Sequence, residues 1–146
     1  MNEGLIIAII IGISIASVPL IFAAIGELLV ERSGVLNLGV EGMMIVGALA
    51  GFVIEFHTGS SFLAVLAALL AGMAIASIFA FLTQILLTNH VATGLALTLF
   101  GLGISAFVGR GYSEENIQLI SAIHIPLLSD FPIVGPLLFS YNPLVY

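Results

Sequence analysis

Four long apolar segments, separated by short polar joints, dominate the pattern along the chain. They cover residues 5–25, 35–54, 62–87 and 91–108. A helix needs about 20 predominantly apolar residues to cross a hydrocarbon core about 30 Å thick. We therefore predict an all-α fold, a polytopic membrane helix bundle with about four transmembrane helices.

The second segment differs from the others because polar residues and glycines occupy its beginning: Asn37, Gly39, Glu41 and Gly42. Its uninterrupted apolar run covers only residues 43–54, which is too short to cross a bilayer alone. We therefore predict a broken second span, with irregular backbone over residues 37–42. Backbone of this kind survives at membrane depth only where protein buries it or where it lines a wet cavity. The glycines assigned to this turn are Gly34, Gly39 and Gly42.

The chain changes character after the fourth apolar segment. Residues 109–142 combine a polar loop with three prolines among mixed residues, and we predict that they lie outside the membrane. Pro143, Leu144, Val145 and Tyr146 resemble the opening of a further span. We expect the chain to be truncated before a fifth transmembrane helix.

Small residues recur every four positions in three of the apolar segments, a spacing that places them on one helix face. They are Ala8, Gly12 and Ala16 in the first, Gly47 and Gly51 in the second, and Ala68, Gly72, Ala76 and Ala80 in the third. Membrane helices associate closely through such small residues. We predict that these faces make contacts between helices.

Composition narrows the function further. Apolar residues make up 61% of the chain, charged residues only 7%, and mean hydropathy is +1.31, whereas about a quarter of the residues of soluble domains are charged. This composition excludes a soluble enzyme, a disordered tail and a nucleic-acid binder, which needs a basic surface. The chain has no cysteine for thiolate metal sites and no lysine for a phosphate-binding P-loop. We expect no catalytic residue, no metal site and no cofactor.

Asn37 and Glu41 are the candidate substrate-pathway residues, and each has a second interpretation. A carboxylate near the bilayer centre is costly, roughly 2.5–3.5 kcal/mol on insertion scales, and normally faces a partner, a cavity or a pathway. Glu41 could instead lie at the start of the following helix, where the helix dipole favours negative charge. Asn37 could line the pathway or hydrogen-bond the backbone of its own turn.

The segment from Gly26 to Met44 reads GELLVERSGVLNLGVEGMM. It closely resembles the signature of permease subunits of bacterial ABC importers, which work with a solute-binding protein. Within that group it looks most like the nucleoside/purine-type permeases, which are related to the ribose and branched-chain amino-acid permeases. Residues 89–97 and 125–146 are similar to further passages of the same family.

This resemblance implies a permease subunit that lines a translocation pathway for nucleosides or related small polar solutes. The implied partners are a separate ABC ATPase that binds the ATP, a second permease subunit, an extracytoplasmic solute-binding protein and membrane lipid, with no nucleic acid. It also implies a multi-pass protein of the bacterial inner membrane, with its N-terminus outside and with Arg32 and His90 cytoplasmic. Residues 1–146 would then be the N-terminal portion of one transmembrane permease domain. The alternatives are a small self-contained membrane channel or carrier and a non-functional truncated fragment.

Overall fold

The computed structural model describes residues 3–112 and Tyr141, and within them it contains four long helices. These are α1 (Glu3–Arg32), α2 (Val40–Thr58), α3 (Ser61–Ala80) and α4 (His90–Gly109). A π-helical turn, Phe81–Ile85, extends α3, and a 3-10 turn, Arg110–Tyr112, follows α4. All four helices are long and apolar enough to cross a membrane. The predicted all-α bundle of about four spans is confirmed.

Two compact units make up the chain. One combines Met1–Ile25 with Leu119–Tyr146, and the other is Gly26–Gln118. In the first unit, the hydroxyls of Ser14 and Ser17 donate to the Ile10 and Ile13 carbonyls one turn earlier in α1. These bonds satisfy polar groups that lipid could not.

The second unit packs α2 antiparallel against α3 through small residues. A Cβ added to Gly47 would lie 3.1 Å from the Ala68 carbonyl oxygen, and one added to Gly51 would lie 3.3 Å from that of Ala64. The predicted contact between the small residues of the second and third segments is therefore confirmed. At Gly12 of α1 an added Cβ would meet no described residue within 4 Å, so the contact predicted for that face stays a prediction.

Helix α2 also packs against α4, and the two run parallel because α3 connects them. Gly42 lies against the α4 backbone, where an added Cβ would be 2.5 Å from the Leu97 carbonyl oxygen and 2.7 Å from the Thr98 Cα. Gly101 faces the Gly42 backbone at a similar distance. The Thr98 hydroxyl donates to the Leu38 carbonyl at 3.0 Å. The hydrophobic core of this unit lies beside this crossing and contains Ile75, Phe79 and Leu97.

The irregular segment between the first two helices lies earlier in the chain than the predicted residues 37–42, and residues 40–42 belong to a continuous α2. The backbone is non-helical from Ser33 to Gly39, and α2 begins at Val40. Gly42 therefore lies inside the helix instead of in the predicted turn. The physical reason is its contact with α4. Because Gly42 has no side chain, the α4 backbone can approach closely, and this role is compatible with a continuous helix.

The other predicted boundaries shift as well. The first span, predicted as 5–25, is longer, because α1 continues from Glu3 to Arg32 through the polar residues that were expected to follow the span. The second span extends to Thr58, where Gly59 ends the helix at φ 62° and donates its N–H to the Glu55 carbonyl at 2.7 Å. The third predicted span, 62–87, corresponds to α3 together with its π-helical turn, and the fourth, 91–108, corresponds to α4. The predicted extramembrane segment, 109–142, lies outside the described residues except for its first four residues and Tyr141.

Asn89 caps the N-terminus of α4, since its side-chain oxygen accepts a hydrogen bond from the Ala92 N–H at 3.0 Å. We expect Asn89→Ala to lower the free energy of unfolding by about 1 kcal/mol, the usual cost of losing such a cap. Asn89→Ser, which keeps a capping oxygen, should lose much less. Thermal unfolding of the two purified variants in detergent, followed by circular dichroism, checks this. Equal stability of both variants would contradict a capping role.

Candidate functional site

Asn37 is the centre of a polar junction, defined here as Glu27, Asn37, Gly39 and Met43. Its backbone N–H donates to the Glu27 carboxylate at 2.9 Å, and its side-chain oxygen accepts from the Gly39 N–H at 2.9 Å. Its amide nitrogen lies 3.7 Å from the Met43 sulfur. Asn37 is only 7% exposed. The junction therefore connects α1 to the start of α2 through Asn37, whose backbone N–H bonds Glu27 and whose buried side chain bonds Gly39.

Glu27 is the member of this junction that the sequence interpretation missed. One of its carboxylate oxygens accepts the Asn37 N–H, and the other is buried with no hydrogen-bond partner among the described residues. The sequence did offer a signal, because Glu27 is an acid at the end of a long apolar run. Its partner Asn37 lies ten positions later in the chain. The two residues meet because the chain reverses direction after Arg32.

Glu41 lies apart from this junction. It belongs to the first turn of α2 and is exposed. A carboxylate at this position interacts favourably with the helix dipole, which fits the second of its two interpretations. Its role in a pathway stays a prediction.

The two glycines that flank Asn37 serve the backbone. Gly34 has φ +84°, a conformation that glycine adopts without steric cost, so its place in the turn agrees with the role predicted for it. Gly39 is the N-cap residue of α2 and is buried against Gly94 of α4. The structure therefore brings Asn37 and Gly39 together and leaves Glu41 outside.

A cavity of about 480 Å³ opens beside the junction. It lies between the end of α1, the start of α2 and the end of α3, and is lined by Val30, Ser33, Val35, Asn37, Met43, Ala76, Phe79, Ala80, Thr83 and Gln84. None of these side chains is charged. A second cavity, of about 560 Å³, is lined by α3 and α4 and is almost wholly apolar.

The opposite end of α2 carries a second buried acid. Glu55 is 9% exposed, and one carboxylate oxygen accepts from the Ser61 hydroxyl at 3.1 Å. Its other oxygen has no hydrogen-bond partner within the described part of the chain.

An aromatic cluster lies at the same end of α2: His57 Nε2 lies 3.0 Å from the Tyr112 hydroxyl, and Phe56 contacts both rings edge to face. Across residues 3–112, no three His, Asp or Glu side chains cluster as a metal site would require.

The described residues thus form apolar helices with buried polar groups and two cavities. The sequence model of a family described as "Branched-chain amino acid transport system / permease component" matches residues 9–136. The chain belongs to this permease family. The family and the four spanning helices make it a multi-pass protein of the cell membrane.

Curated relatives are similar along most of the chain. A protein named as a candidate glucose ABC transporter permease, TsgC13 of Haloferax volcanii, is 43% identical over 128 residues, 85% of this chain and 39% of the relative. The nucleoside ABC transporter permease protein NupC of Lactococcus lactis is 32% identical over 89% of this chain and 44% of its own length. The guanosine ABC transporter permease protein NupQ of Bacillus subtilis is 31% identical over 84% and 42%.

The chain thus spans about two fifths of the length of these relatives. No solved structure matches it. The recognition of an ABC permease from the segment Gly26–Met44 is confirmed by the family and by the relatives' names.

Proposed function

We propose that the chain forms part of the membrane-spanning permease of an ABC-type importer for nucleosides or related small polar solutes. The family match over residues 9–136 is the observation that carries this proposal. The chain contains no lysine and hence no P-loop lysine of its own. The energy for transport would come from ATP bound by a separate ATPase subunit.

The names of the relatives support the substrate class. Two of them are named for nucleosides or guanosine, and one for glucose. A nucleoside and a hexose share a neutral ring that carries several hydroxyl groups. The names therefore admit both classes, and we place nucleosides first and neutral sugars second because the segment Gly26–Met44 resembles the nucleoside/purine-type permeases.

The remaining parts of the proposal concern the assembly. A second permease subunit would complete the pathway, and a solute-binding protein would deliver substrate from outside. Arg32 and His90, at the same end of the second unit as the polar junction, would face the cytoplasm. Asn37 would contribute to the inner part of the pathway. A self-contained channel or carrier is disfavoured, because the chain belongs to a permease family that is named as a component of a transport system.

Uptake of radiolabelled guanosine tests the function directly. The complete permease should be expressed with its second permease, its ATPase and its solute-binding protein, in cells that lack other nucleoside importers. We expect ATP-dependent guanosine uptake, with competition by adenosine and weak competition by glucose. The control uses an ATPase whose P-loop lysine is replaced, so that ATP does not drive transport. Uptake of glucose alone would shift the proposal to sugars, and uptake of neither solute would contradict it.

A further inference from the structure

The cavity beside the polar junction has the size and lining of a small-molecule site. Its volume of about 480 Å³ lies within the range of roughly 300–1,000 Å³ that is usual for ligand pockets. Most of its wall is apolar, with a few polar side chains among the apolar ones. Pockets that bind small ligands typically combine these two features. We name it the carboxamide cavity, after Asn37 on one wall and Gln84 on another.

Asn37 has hydrogen-bonding capacity that the protein itself does not fully use. Its oxygen is engaged by the Gly39 N–H. Its amide group has two N–H donors, and within residues 3–112 that nitrogen contacts the Met43 sulfur at 3.7 Å, a weak acceptor. Asn37 is also held in place by its backbone bond to Glu27. It therefore presents a fixed and underused donor at the cavity wall.

Gln84 supplies the second carboxamide from the far end of α3. Its amide nitrogen lies 3.4 Å from the Thr83 hydroxyl oxygen, a long contact for a hydrogen bond. The Thr83 hydroxyl donates in turn to the Phe79 carbonyl and is 2% exposed. Gln84 is exposed and makes no other side-chain hydrogen bond to the described residues, so its donor and acceptor groups are available to a ligand.

The backbone around Gln84 is unusual. Residues Phe81–Ile85 form a π-helical turn, closed by a bond from the Leu86 N–H to the Phe81 carbonyl at 3.2 Å. Such turns occur frequently at functional sites. The turn is stabilised from the next loop by Thr88, whose hydroxyl donates to the Leu82 carbonyl at 2.9 Å. This local geometry carries Thr83 and Gln84 together into the cavity lining.

We propose that the carboxamide cavity binds the transported solute, through Asn37 and Gln84, and that it selects neutral, hydroxyl- or amide-bearing rings of nucleoside size. This inference rests on the proposed function. Carboxamides both donate and accept, as hydroxyls and nucleobase edges require. The apolar side chains Val30, Val35 and Phe79 suit the face of a ring. A phosphorylated solute is disfavoured, because burying an unpaired charge is costly and the described lining residues include no cation.

Protection of a single cysteine from labelling tests this proposal in the complete permease, assembled with its partner subunits and with any other cysteines replaced. Ala80→Cys places the thiol in the cavity lining. Ser77→Cys is the matched control, because Ser77 is exposed on the same helix and lies outside the lining. With guanosine at about ten times its Kd, labelling of Ala80→Cys by N-ethylmaleimide should slow about tenfold, because the unoccupied fraction falls as 1/(1 + L/Kd), where L is the guanosine concentration. Ser77→Cys should be unaffected, and guanosine monophosphate should protect neither.

A second variant isolates the carboxamide. Gln84→Leu in the Ala80→Cys background should abolish the protection by guanosine, whereas Ser77→Ala in that background should retain it. Three results would overturn the inference. Absence of labelling at Ala80→Cys would mean that another segment fills the cavity. Labelling that guanosine does not slow, or full protection by guanosine in Gln84→Leu, would mean that guanosine does not bind there through Gln84. If wild-type guanosine uptake persists in those cases, the proposed function stands without this site. Absence of wild-type uptake would count against the proposed function itself.

Discussion

Gly42→Val should separate α2 from α4 and lower the free energy of unfolding by at least about 3 kcal/mol, at the upper end of overpacking costs. Even a single Cβ at this position would lie 2.5 Å from the Leu97 carbonyl oxygen and 2.7 Å from the Thr98 Cα. Both are backbone atoms, so no side-chain rotation can relieve the clash. The helices must move apart, which also weakens the bond from Thr98 to the Leu38 carbonyl. Denaturation of the purified protein by increasing SDS, followed by circular dichroism, measures the loss.

Gly103→Val is the matched control for this prediction. Gly103 belongs to α4, and a Cβ added there would meet none of the residues 3–112 within 4 Å. Both variants introduce the same β-branched residue into a helix, so the difference between them reports the crossing with α2. Gly101→Ala should behave like Gly42→Val but more mildly, because its Cβ would lie 2.7 Å from the Gly42 carbonyl oxygen. Similar stability of Gly42→Val and Gly103→Val would show that the two helices are not in tight contact.

The number and type of the helices could be predicted because the bilayer imposes a length that hydropathy reveals directly. The contact between α2 and α3 could also be predicted from the sequence. Helices joined by a short turn pack together, and Gly47 and Gly51 mark the face of α2 that makes the contact. The crossing of α2 with α4 could not be predicted in this way. Its glycines, Gly94 and Gly101 on one helix and Gly42 on the other, belong to segments that α3 separates, and no pattern within one helix identifies the partner.

The candidate site could be predicted only in part: the sequence indicates Asn37 but not the residues that it contacts. Asn37 stood out because a polar residue in an apolar segment needs a partner, and the structure gives it several. The identity of those partners depends on the backbone reversal over residues 33–39. That reversal brings Asn37 to Glu27 and leaves Glu41 exposed. Glycine is common both in turns and at helix crossings, so the sequence alone does not distinguish these two roles for Gly42.

Asn37→Leu should be the most damaging single change in the polar junction, with a loss of roughly 1–3 kcal/mol in the free energy of unfolding, the cost of a buried unsatisfied group. The leucine removes the oxygen that accepts the Gly39 N–H. Because Gly39 is buried against Gly94, water cannot easily replace that acceptor. The backbone bond from residue 37 to Glu27 can persist, so the turn should loosen without disappearing. SDS denaturation of the purified protein measures the change.

Two control variants separate this hydrogen bond from a general effect of polarity. Asn37→Ser keeps a short side-chain oxygen that can bond the N–H two residues later, more weakly than asparagine does, so its stability should fall between wild type and Asn37→Leu. Glu41→Leu removes an exposed carboxylate from the first turn of α2 and should cost only about 0.3–1 kcal/mol, the usual size of a helix-dipole interaction. Glu41→Gln, which retains hydrogen bonding, should be tolerated better than Glu41→Leu. If Glu41→Leu proved more damaging than Asn37→Leu, the structural centre of this region would be Glu41, and its interpretation as an exposed first-turn acid would have to be abandoned.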